Sequence, residues 1–94
     1  MTPLERFEIA LEVREKKKGI ALAYMDGIVK ASAQACQDEL EFLENRVSKF
    51  FLRDYFTEEV DEEFREDYEF VNNVEKRINQ LKAVVEKAKG EGIL

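Results

Sequence analysis

Apolar residues recur at steps of three and four along most of the chain: Leu4, Phe7 and Leu11, then Leu22, Met25, Val29, Cys36, Leu40, Leu43, Val47 and Phe50. A second series runs Val60, Phe64, Val71, Val74, Ile78, Leu81, Val85 and Ala88. This is the period of a helix with one face turned to a core. Arg14, Lys18 and Ser32 interrupt the first series, and the polar stretch from Arg14 to Gly19 is where a buried cation would be costly. The chain is therefore expected to bend there.

Helix ends are marked as well. Thr2 is placed to cap a helix with Pro3 at its first position and Glu5 as the third residue of a capping box. Gly19, after Lys16, Lys17 and Lys18, suits a left-handed C-terminal cap. Thr57 is a candidate N-cap for the last helix, and Gly90 and Gly92 end it, leaving Ile93 and Leu94 as an apolar tail, frayed or docked. The predicted fold is all-α, a single helical domain over 1–94: a long antiparallel helix pair, about 20–53 and 58–89, with an N-terminal helix 3–18. A competing pattern exists. Phe7, Ile9, Leu11 and Val13 alternate with polar or small residues, and Ile20, Leu22 and Tyr24 do so after Lys-Lys-Lys-Gly. That alternative is α+β, with an N-terminal β-hairpin 6–25 followed by two helices. On a helix, Ile9 and Val13 fall opposite Phe7 and Leu11, so this segment needs neighbours on two sides.

Ninety-four residues make one domain's worth of chain, and 45% apolar content is enough to fold. No stretch approaches the roughly 18 apolar residues of a membrane span, and the first residues lack the order of a signal peptide. A cytoplasmic location and no membrane partner are expected. With no histidine and one cysteine, imidazole acid–base chemistry, histidine metal sites and an internal disulfide are excluded. Cys36, among Ala33, Ala35 and Leu40, reads as a small packed side chain. Ala31, Ala33, Ala35 and Cys36 together allow a neighbouring backbone to come close.

The net charge of −6 is unevenly spread. Residues 58–69 hold eight acids, Glu58, Glu59, Asp61, Glu62, Glu63, Glu66, Asp67 and Glu69, against Arg65. Acids in the first turns of a helix complement its dipole, and Lys82, Lys87 and Lys89 complement its end. If the pair turns near residue 55, residue numbers at one level sum to about 111. Lys87 and Lys89 then lie near Lys16, Lys17 and Lys18, giving a basic end opposite an acidic one. Glu58, Glu59, Asp61 and Glu62 at one pole and Lys16, Lys17 and Lys18 at the other are the candidate partner-binding residues. Duplex nucleic acid is a poor fit to an acidic chain. Phe50, Phe51, Tyr55, Phe56, Phe64, Tyr68 and Phe70 bracket the connection. Most are expected in the core, but Phe50, Phe51 and Leu52 in succession cannot all point inward on a two-helix face. The first segment, the tail or another chain must cover the rest, and a homodimer is expected.

The remaining chemistry is a divalent cation held by carboxylates. Glu41-Phe42-Leu43-Glu44 followed by Glu58-Glu59-Val60-Asp61 resembles, in truncated form, the acidic pattern of all-helical MazG-type nucleotide pyrophosphatases. The likeness departs at Leu40, where that family has another Glu, and it implies a carboxylate- and Mg²⁺-dependent nucleotide hydrolase. The level rule instead groups Glu44 with Glu63 and Asp67, and no cofactor is expected. Of the functions considered, the first is a non-enzymatic protein-interaction or structural module acting by self-association or partner binding. The others are the hydrolase and an acidic, antitoxin-like antagonist of a basic partner.

Overall fold

The structure, a computed structural model, describes residues 1–46 and 65–94, with residues 65–68 described by backbone alone. The described residues form three helices, α1 (Pro3–Glu15), α2 (Ile20–Phe42) and α3 (Arg65–Gly90). The all-α expectation holds. The β-hairpin 6–25 does not form, because α1 is capped as a helix from its first residue: the Glu5 amide donates to Thr2 Oγ1 at 3.2 Å and the Arg6 amide to the Thr2 carbonyl at 3.1 Å. Once the first turn is closed, each further helical residue adds a hydrogen bond at little cost. The four alternating apolar residues then divide into one buried face, Phe7 and Leu11, and one exposed face, Ile9 and Val13.

α1 ends at Glu15, three residues short of the expected 18. The Lys16 and Lys17 amides bond three residues back, to the Val13 and Arg14 carbonyls at 3.2 and 3.1 Å, the tightened last turn of a helix about to stop. Gly19 has φ 62° and ψ −133°, which is not the left-handed helical cap expected of it. It is the N-cap residue of α2 instead, and its positive φ reverses the chain between the two helices.

Two clusters of buried side chains hold the helices together. In one, Leu40 of α2 packs with Val71, Val74, Ile78, Leu81 and Val85 of α3. In the other, Phe7 and Leu11 of α1 meet Val29 and Ala33 of α2 and Val84 and Ala88 of α3. Low residue numbers of α2 therefore meet high numbers of α3, and the pair is antiparallel as expected. α1 runs back along both. Partly buried Cys36 and Leu94 pack against both clusters.

The C-terminus of α3 closes in a Schellman arrangement. The Ile93 amide donates to the Ala88 carbonyl at 2.8 Å and the Gly92 amide to the Lys89 carbonyl at 3.1 Å, with Gly92 at φ 74°. This swings Ile93 onto the cluster of Phe7, Leu11 and Ala88, so the apolar tail is docked. No helix among the described residues is long and apolar enough to cross a membrane.

Candidate functional site

Glu58, Glu59, Asp61, Glu62 and Glu63 lie outside the described residues, as do the connection near residue 55, the Thr57 cap and most of the aromatics around it. Asp67 lies on α3, its side chain outside the description. Glu44, the remaining member of the proposed cation group, directs Oε1 to Lys82 Nζ at 3.3 Å, both side chains being half exposed. Among the described residues no group of three acids, cysteines or histidines is placed to hold a metal ion.

The ion pairs also correct the level rule. Arg77 Nε donates to Glu39 Oε2 at 2.9 Å, about a turn and a half farther along α3 than the rule places Glu39's neighbour. Side chains lean toward the N-terminus of their own helix, so in an antiparallel pair two long side chains converge from residues past one another. Glu44 and Lys82 are offset by more, and there α2 passes into a π-helical turn at residues 43–46.

Lys16, Lys17 and Lys18 are exposed at the α1–α2 turn. The cluster joining Leu11 to Ala88 puts that turn at the same end of the bundle as Lys87 and Lys89. The basic end is diluted, however. Lys87 pairs with Glu91 at 3.4 Å and Arg14 with Asp26 at 3.6 Å. Lys16, Lys17 and Lys18 take part in no ion pair among the described residues.

A cleft of about 240 Å³ opens where the three helices meet, lined by Arg6, Phe7, Ser32, Cys36, Arg77 and Val84 among others. Burial raises the Cys36 thiol pKa above its ordinary value; the nearby Arg77 cation opposes this and Glu39 adds to it. A thiol whose pKa is raised carries less of the nucleophilic thiolate near neutral pH.

The outer face of α2 is the unusual surface. Val29, Ala33 and Leu40 point inward. At about 100° per residue the opposite side carries Ile20, Tyr24, Gly27, Ile28, Ala31 and Ala35, and all six are exposed. Ile20 is 91% exposed and Tyr24 71%. A Cβ built on Gly27 meets nothing within 4 Å. From Ile20 to Gln37 the charged residues are Asp26, paired with Arg14, and Lys30, which sits about 100° round from Ala31. Charge returns only at the two ends: Lys16, Lys17 and Lys18 before the face, Asp38 and Glu41 after it. Gln34 Nε2 donates to Asp38 Oδ1 at 3.0 Å, fixing that carboxylate on the surface.

Sequence reasoning grouped Ala31, Ala33, Ala35 and Cys36 as one close-approach set. The structure divides it, with Ala33 fully buried and Ala31 and Ala35 outside. The signal available was the four-residue spacing of Gly27, Ala31 and Ala35, beside apolar Tyr24 and Ile28.

Comparison with known proteins finds no counterpart: no family model matches the chain, the MazG-type family included, and no curated protein or solved structure matches it significantly.

Proposed function

We propose that the protein is a non-enzymatic interaction module that binds another helix through the outer face of α2. The observation that carries this reading is the contrast on one helix. In a chain that is 38% charged, the exposed side of α2 runs for four turns with apolar and small residues along its centre. Solvated helix faces are normally charged, and exposed apolar residues gathered on one surface mark an interaction site. Small residues at four-residue spacing let a partner backbone come close, while Ile20, Tyr24 and Ile28 supply area beside them.

The test is Ala31→Glu, a substitution on an exposed helical position that keeps helix propensity. Wild type and variant are compared by light-scattering mass over a wide concentration range and by capture from source extract. The reading expects a complex, of either kind, formed by the wild type and lost in the variant at unchanged circular dichroism. A wild type that stays monomeric and captures nothing the variant does not would end it.

A further inference from the structure

Resting on that reading, we infer that the occupant of the outer face of α2 is a second copy of the same face, packed antiparallel about a twofold axis level with residue 29. Charge decides the partner and its direction. The face has a basic turn before it, Lys16, Lys17 and Lys18, and an acidic end, Asp38 on its line and Glu41 on the flank it shares with Lys30. All five are exposed and none of them is in an ion pair among the described residues. A twofold axis sets each end against its opposite, the turn of Lys16, Lys17 and Lys18 of one copy toward the Asp38 and Glu41 end of the other. A parallel pairing would set like against like, which is unfavourable.

Shape agrees with the same register. About the level of residue 29, Gly27 comes opposite Ala31 of the second copy, two small residues that let the backbones approach, and Tyr24 comes opposite Ala35, a large side chain against a small one. Ile28 meets its own copy near the axis. Lys30 lies on the flank, away from the line of Tyr24 and Ala31. The contact is isologous, the form that closes a dimer instead of propagating a filament.

Two experiments on the full chain test this. In a Cys36→Ser background, Gly27→Cys and Ala31→Cys variants are oxidised separately and mixed. The antiparallel register expects disulfide-linked dimer in the mixture and little in either variant alone; linkage of each variant to itself would mean parallel pairing and overturn the register. Second, Asp38→Lys with Glu41→Lys is expected to weaken dimerisation about tenfold or more, and adding Lys17→Glu and Lys18→Glu to restore it. Failure of the second pair to restore it would overturn the charge pairing. A wild type with the monomer mass of 11.0 kDa at every concentration would overturn self-association. Capture of a different protein, lost on Ala31→Glu, would in that case leave the interaction-module reading standing. A dimer unaffected by Ala31→Glu would instead move the interface elsewhere and end both.

Discussion

At Gly19 the backbone holds φ 62° and ψ −133°, with nothing within 4 Å of where a Cβ would sit. The penalty for a side chain there is torsional and owes nothing to crowding. Gly19→Ala is expected to cost about 1–3 kcal/mol, read by chemical denaturation, and to slacken the α1–α2 reversal. Leu81 is a different kind of dependence. It is fully buried between α2 and α3, so Leu81→Ala loses both transfer energy and packing and should cost about 2–5 kcal/mol. Cys36 makes stability depend on pH. Its folded pKa is raised by burial, so the unfolded chain releases the thiol proton first. The folded state keeps its full advantage below the ordinary thiol pKa of about 8.5 and loses it as pH rises through that value toward the higher folded one. The stability difference between wild type and Cys36→Ala should therefore shift against the wild type between those two pH values. A difference that stays flat with pH would show that burial does not disfavour the thiolate.

Between elements, the Arg77–Glu39 contact joins α2 to α3 through two donors, Nε at 2.9 Å and Nη2 at 3.4 Å. Both side chains are more than 40% exposed, so solvent screens the pair, and a double-mutant cycle should give about 0.2–1 kcal/mol, falling with added salt. The helices themselves were readable from sequence because their signals are local. The Thr2 cap, Gly92 and the stripe from Val71 to Ala88 need no knowledge of a neighbour. Val84 was missed because it lies one position off that stripe, on the flank covered by α1, and only a third helix in place explains its burial. Ala33 was not separated from Ala31 and Ala35 for the same reason: alanine's small apolar surface does not say which side faces in. The exposed face of α2 was hidden likewise. Tyr24 and Ile28 look like core residues until Val29, Ala33 and Leu40 are seen to fill the inward side.

For the whole molecule, the proposed covering of the α2 face by a second copy would make folding and association share one equilibrium. A second copy that binds only the folded chain stabilises it by mass action, in proportion to the logarithm of concentration over the dissociation constant. The melting temperature of the wild type should therefore climb as protein concentration is raised. Ala31→Glu is expected to remove the proposed association while touching nothing in either buried cluster, since Ala31 is exposed. Its melting temperature should be independent of concentration and meet that of the wild type at high dilution. Leu81→Ala should behave in the opposite way, lowering the melting temperature at every concentration while leaving its slope with concentration in place. A wild-type melting temperature that does not move with concentration would mean that the face is not covered by its own copy. A variant that melts lower even at high dilution would mean that Ala31 supports the monomer itself.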